Sequence, residues 1–258
     1  MTLGPDVALL CHWDPSGAVR PDTARYIREL AEAGFSVVVV SNGTPIRPAV
    51  AASLTGAALC LTRWNVGIDF GAWRMAMRKL SLPRANTKRI LLVNDSVYGP
   101  LMPLAPLLAR MAPDTADLWG LTDSTERSPH LQSYFLLAHE PVVRSPAWRS
   151  FWRWVLPLPC KRWTVGRYEI GLSRRVRQAG FRTRALFPYE AISPDGSIRN
   201  PTLGGWRTLL EAGYPFLKRE LLRDNPTGIA GVGAWRNLVP AAYAHEIDAD
   251  LGRGRTEI

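Results

Sequence analysis

The sequence predicts an α/β fold built on a doubly wound, mainly parallel sheet, and three observations carry that expectation. Short apolar runs at residues 7–13, 35–40, 57–62 and 89–93 each break abruptly into polar or turn residues. Runs this short and so bounded are the mark of buried strands. The stretches between them have helical periodicity, and strands alternating with helices imply parallel crossovers. Four runs end in polar clusters: His12 with Asp14, Ser41 with Asn42, Arg63 with Asn65, and Asn94 with Asp95. In a parallel sheet such ends share one edge, and that edge is where ligands bind in open α/β folds.

Length and composition bound the rest. The chain has 258 residues, enough for one domain over 1–258, with an α/β core at about 7–190 and a helical C-terminal extension at about 191–245. A hydrophobic fraction of 47% and a charged fraction of 21% exclude disorder. No apolar run approaches the ~20 residues of a bilayer span. The opening M-T-L-G-P-D lacks the basic n-region of a signal peptide, so a cytoplasmic location is expected. Cys11, Cys60 and Cys160 are far apart and lack zinc-ligand spacing. Cys11 and Cys60 sit in apolar runs and read as buried thiols of a reducing compartment.

The formal net charge is +10. The basic residues are scattered, with local groups at Arg174, Arg175, Arg177 and at Arg182, Arg184, and no nucleic-acid motif is present. Phosphate-bearing substrates and peripheral contact with an anionic membrane leaflet fit this charge better than nucleic acid does.

Taken in order, 7–13 is a strand followed by the turn H-W-D-P-S-G. Residues 22–34 form an amphipathic helix with Ala24, Ile27, Leu30 and Ala31 inward and Gly34 as its stop. Strand 35–40, helix 45–53 and strand 57–62 follow. Asp69 caps a helix running to Leu80, ahead of strand 89–93. The second half opens with helix 104–111, strand 117–121, the loop T-D-S-T-E-R-S-P-H and strand 133–138. Next come an aromatic helix at 146–155 carrying Trp148, Phe151, Trp152 and Trp154, a basic helix at 168–180 and strand 181–187. Helices at 201–213, 214–223 and 234–244 precede a frayed tail at 248–258.

Several segments carry chemistry. In R-W-N-V-G-I-D-F-G-A-W-R, Gly67 and Gly71 let the backbone approach a ligand. Asp69 either accepts from ribose hydroxyls or caps its own helix. In L-L-V-N-D-S-V-Y-G-P-L, Asn94, Asp95 and Ser96 stand where a strand end meets a nucleotide sugar, or else they form an Asx-turn. Either Asp95 binds a divalent cation, Mg²⁺ or Mn²⁺, with water and diphosphate completing the shell, or basic residues replace the metal. Glu169, at the start of the basic helix, is favoured there by the helix dipole, or it is a general base. His130 and Gln132 could line an acceptor side. Lys218 and Arg219, with Arg223, either clamp a diphosphate or form a solvated face.

Together these segments resemble the rhamnan synthesis F family. W-N-V-G-I-D-F-G-A-W-R, L-L-V-N-D-S-V-Y-G-P-L, W-G-L-T-D-S, H-L-Q-S-Y-F, Y-E-I-G-L-S and P-F-L-K-R-E-L-L-R-D-N-P occur in the family's order, with C-H-W-D-P-S-G as its opening. The resemblance implies a Rossmann-like, GT-A-type α/β/α sandwich. It also implies a glycosyltransferase of cell-surface polysaccharide assembly, commonly a rhamnosyltransferase. On that analogy Asn94-Asp95-Ser96 takes the place of the metal-binding acidic motif, one carboxylate standing where two are usual, and Tyr168-Glu169 takes the place of the base of inverting enzymes. The expected donor is dTDP-rhamnose and the expected acceptor a lipid-linked glycan. His12, Asp14, Asn42, Arg63, Asn65, Gly67, Asp69, Asn94, Ser96, Lys218 and Arg219 would bind the donor, and His130, Gln132 and Tyr168 the acceptor. The alternative is a non-catalytic nucleotide-sugar- or glycan-binding module of an assembly complex. No P-loop or G-x-S-x-G supports a hydrolase or phosphotransferase.

Overall fold

The computed structural model describes residues 2–158 and 161–253. Strands β1 (Asp6–His12), β2 (Ser36–Asn42), β3 (Ala57–Arg63) and β4 (Arg89–Asn94) are joined through helices and pair in parallel in the order β3-β2-β1-β4. After the two-residue strand β5 (Val97–Tyr98) come β6 (Leu118–Ser124), β7 (His130–Leu131), β8 (Phe135–His139) and β9 (Thr183–Phe187). β8 inserts antiparallel between β4 and β6; β9 runs parallel to β6, and β7 folds back on it. The result is the expected mainly parallel α/β/α sandwich, with one reversed strand inside it. β10 (Leu217–Lys218) pairs with β5 in a separate ribbon.

Each face of the sheet is covered for a local reason. Helix Pro21–Glu32 starts with proline at its first turn and ends before Gly34, whose φ of +92° a side chain would resist. It lays Tyr26, Ile27 and Leu30 on Val37, Val39, Leu91 and Val93. On the other face helix Ile68–Lys79 buries Phe70, Trp73, Ala76 and Met77. Trp73 also donates from Nε1 to the Val93 carbonyl at 3.3 Å, so truncating it would cost ~3–5 kcal/mol. Beside it, helix Pro146–Arg153 is capped by Ser145 Oγ, which accepts from Trp148 N at 3.0 Å, and buries Trp148, Phe151 and Trp152. A third cluster joins Tyr98, Leu217, Leu221, Trp235 and Ile247 beneath the C-terminal helices.

Several expectations are corrected. Asp69 does not cap its helix: Gly67, at φ +81°, is the N-cap, and no side chain closes it. The basic helix does not open at Tyr168. A continuous helical run begins at Lys161, passes through a π-turn at Val165–Glu169 and continues as Ile170–Gln178. Residues 214–223 are not one helix but β10 followed by helix Arg219–Arg223. The tail is helical as far as Arg253, in Ala241–Arg253, because Ile247 is buried and acidic side chains of that helix meet arginines of the core. Cys160 and residues 254–258 lie outside the described residues.

Candidate active site at the carboxyl edge of the sheet

Parallel register aligns the strand ends. His12 sits opposite Ser41, Asn42 opposite Arg63, and Cys11 opposite Asn94. Beyond β4 the chain keeps a two-residue alternation, so Asn94 and Ser96 turn one way and Asp95 the other.

On the Asp95 side everything is closed. Its Oδ2 lies 3.5 Å from Arg20 Nη1 and accepts from Trp13 N at 3.3 Å. Arg20 also donates to the Asp95 carbonyl at 3.2 Å and to Asp22 at 3.0 Å. All three side chains are buried. Burial would lower the Arg20 pKa, but Asp22 and Asp95 outweigh it and hold the guanidinium charged.

The other side is open. Asn94 Nδ2 donates to Asp69 Oδ2 at 2.7 Å, and Asn94 Oδ1 accepts from Ser96 N at 3.1 Å and Oγ at 2.6 Å, an Asx-turn. Lys218, delivered by the β10 ribbon, donates from Nζ to Ser96 Oγ at 2.9 Å and stands 5.2 Å from the centroid of the Tyr134 ring. Glu169 faces the same group from the π-turn, a feature that often marks functional helices. Its Oε1 accepts from Ser133 N at 2.6 Å and lies 3.9 Å from His130 Nε2. Asp69, Ser96, Glu169 and Lys218 are each partly exposed. Burial raises the Glu169 pKa, against the pull of His130, the Ser133 amide and Lys218. Burial also raises the Asp69 pKa, against hydrogen bonds from Asn94 and Cys11 and the charge of Lys218. Two carboxyls held above their ordinary range thus flank one ammonium group, an arrangement suited to receiving a proton and an anion together.

Other expected ligand-binding residues serve the framework instead. His12 is buried, with Nδ1 on Ser41 Oγ and Nε2 on the Ala18 carbonyl. Asp14 closes its own turn by accepting from Ser16 and Ala18. Asn42 donates to Cys11 Sγ and the Ile68 carbonyl and accepts from Arg63, which also donates to the Val66 carbonyl. Gly67 is glycine because a Cβ would lie 2.7 Å from Pro157 Cα; the close approach is to the protein, not to a ligand. Asn65 remains exposed at the rim. Gln132 is locked among Thr122, Asn200 and Thr202. Tyr168 is buried against Phe70 and Phe151, and its hydroxyl is spent on the Leu156 backbone, so it cannot meet an acceptor. The Arg219 side chain turns to Asp250 at 3.3 Å and to the Tyr98 ring, while its backbone N–H donates to the Ser96 carbonyl at 3.1 Å. Sequence reasoning missed Arg20, Ser133 and Tyr134. Arg20 and Asp95 are 75 residues apart, and no spacing signals their pairing.

A divalent cation was expected on Asp95. The donor chemistry does not fit: that carboxylate is already engaged by a guanidinium and an amide. No group of three or more His, Cys, Asp or Glu side chains converges among the described residues. The positive charge on the open side is that of Lys218.

The model of the family described as rhamnan synthesis protein F matches residues 37–235, most of the chain. The chain belongs to that family. It is 27% identical over 197 residues to the virulence protein VirA of Vibrio anguillarum, a match covering 65% of this chain and 63% of VirA, so it spans less than two thirds of that relative. A cytidylyltransferase from Leptospira borgpetersenii serovar Hardjo-bovis superposes with a TM-score of 0.39 at 14% identity, over 88% of this chain and 98% of that one. A glycosyltransferase involved in glycosylating the major capsid of PBCV-1 gives 0.38 at 10% identity, over 74% and 88%. These two likenesses are distant.

Proposed function

We propose that this chain transfers a sugar from a nucleotide-diphosphate donor to a growing cell-surface polysaccharide, with inversion at the anomeric carbon. The convergence of Glu169 and Lys218 on the open side of the 94–96 loop carries this reading. An acceptor hydroxyl attacks the anomeric carbon while its proton passes to Glu169, whose Oε1 is oriented by Ser133 N. The bond from the anomeric carbon to the diphosphate oxygen breaks, and the electron pair leaves with the diphosphate. Lys218, pre-positioned on Ser96, offsets the charge that develops there. Asp69 and Asn94 hold this frame, and exposed Asn65 meets the nucleoside. No step is routed through a metal.

The family's description, rhamnan synthesis, supports L-rhamnose as the sugar; we infer dTDP as its carrier and a lipid-linked glycan at the cytoplasmic face of the membrane as its acceptor. In this reading residues 1–258 act as one domain: the core at about 7–190 binds the donor, and the extension at about 191–245 supplies Lys218. A panel of nucleotide sugars tested for thermal stabilisation and for transfer checks it, because a ligand that binds the native state alone raises Tm. dTDP-rhamnose is expected to raise Tm. Glu169→Gln is expected to keep that shift and lose 10²–10⁴-fold in transfer, the contribution of a general base. Wild-type turnover by folded Glu169→Gln would remove the mechanism, and stabilisation by another sugar alone would remove the donor.

A further inference from the structure

Apart from the cleft, one face of the molecule combines exposed aromatic rings with unpaired positive charge. Trp64, Val66, Trp154, Leu156 and Trp163 are each at least half exposed, an uncommon concentration on a soluble surface. Helix Ile68–Lys79 and the segment after helix Pro146–Arg153 bring them together. Gly67 abuts Pro157, Arg74 donates to the Trp152 carbonyl at 3.3 Å, and the turn carrying Trp163 packs on helix Ile68–Lys79.

Two hollows of about 460 and 660 Å³ lie along this face and share Arg74 and Arg78 as walls. Lys79 edges the first; Arg149, Arg153 and Trp154 edge the second. No acidic side chain lines either, and Arg78, Lys79, Arg149 and Arg153 pair with no carboxylate among the described residues. The sequence shows why: residues 70–88 and 145–167 contain no Asp or Glu, while the second stretch alone carries Arg149, Arg153, Lys161, Arg162 and Arg167. The charge that looked scattered in one dimension is gathered by the fold, and basic residues do interleave with tryptophans here.

We infer that this face docks on the surface of an anionic phospholipid bilayer. Tryptophan suits the boundary between headgroups and acyl chains, since its ring is apolar and its N–H stays wet. Arginine and lysine around it meet lipid phosphates, each worth about fivefold in binding. Leu156, Val66 and Leu82 add aliphatic surface that suits acyl chains, which favours lipid over nucleic acid. No helix of the described residues is long and apolar enough to cross a membrane, so the contact is peripheral. Trp64 and Val66 flank Asn65 at the rim; on the functional reading above, docking would set the cleft beside membrane-borne acceptors. The docking itself stands without that reading.

Sedimentation with vesicles tests it, using the full chain with phosphatidylcholine alone and with equimolar phosphatidylcholine and phosphatidylglycerol. Binding is expected to the anionic vesicles, with a blue shift of tryptophan fluorescence, and only weakly to the neutral ones. Arg78→Ala with Arg153→Ala is expected to weaken binding about thirtyfold, and Trp154→Ser with Trp163→Ser to reduce the blue shift, leaving the part that Trp64 contributes. All four side chains are exposed, so the melting temperature and donor turnover in solution should hold, which separates this test from the catalytic one. No binding to anionic vesicles, equal binding to neutral ones, unchanged binding by both variants, or binding to single-stranded DNA in place of vesicles would overturn the inference.

Discussion

The two sides of the 94–96 loop hold charged groups in opposite conditions. On one side Asp95, Arg20 and Asp22 are buried and mutually paired, and the pairing continues into the C-terminal helix. The Tyr98 ring lies between Arg20 and Arg219, its hydroxyl donates to Asp250 at 2.7 Å, and Arg25 meets Glu246 at 2.6 Å. On the other side Asp69, Glu169 and Lys218 are partly exposed, and burial lifts both carboxyls out of their ordinary range. A buried ion network resists the loss of any one member, because the partner left behind is an uncompensated charge; carboxyls whose pKa is shifted in an open site are available for chemistry. The difference teaches that the side of the 94–96 loop a carboxylate faces decides the role it takes.

The largest expected effect comes from breaking the closed side. Asp95→Ala leaves Arg20 charged and buried with Asp22 as its one remaining carboxylate partner, and urea unfolding should show a loss of ~3–5 kcal/mol. Next, Lys218→Met should lower kcat by about 10²–10³, the value of one donor aimed at developing charge. It should also move the acid limb of the pH–rate profile upward, because Lys218 is one of the charges holding the Glu169 pKa down. Tyr98→Phe removes a hydrogen bond to the Asp250 carboxylate and should cost ~1.5–3 kcal/mol, seen in the same unfolding curves.

A smaller effect sharpens the contrast. Glu169 has a folded-state pKa raised above its unfolded value, so its contribution to stability is fully present below the unfolded pKa and fades as pH rises through the folded one. Glu169→Gln should therefore melt at or above the wild-type temperature at neutral pH and lose that advantage in acid. The smallest effect is expected from EDTA, which should leave the transfer rate unchanged, because on the proposed mechanism Lys218 offsets the charge of the leaving diphosphate.

Much of the fold was legible because burial writes itself into short apolar runs. Val37 to Val40 and Ile90 to Val93 admit no other reading, and the polar ends that follow them do share an edge. Asn94 was legible as a polar strand end, whereas Glu169 and Lys218 were singled out on helices that prove to be a π-turn and a two-residue strand. What escaped was set by partners distant in sequence. Nothing near Asp95 announces Arg20, and nothing near Tyr168 announces that Leu156 will consume its hydroxyl. β5, β7 and β10 are two residues each, too short for periodicity, yet β10 is the element that carries Lys218 to Ser96. The π-turn was invisible because one extra residue in a helical run leaves its hydrophobic pattern almost intact.

The most direct test of the account measures donor-to-acceptor transfer per folded molecule for Glu169→Gln and Asp95→Asn side by side. The account expects Glu169→Gln to fold well and transfer almost nothing, and the folded fraction of Asp95→Asn to work at close to the wild-type rate. Full transfer by Glu169→Gln, with loss confined to well-folded Asp95→Asn, would place the chemistry on the wrong side of the loop and contradict it.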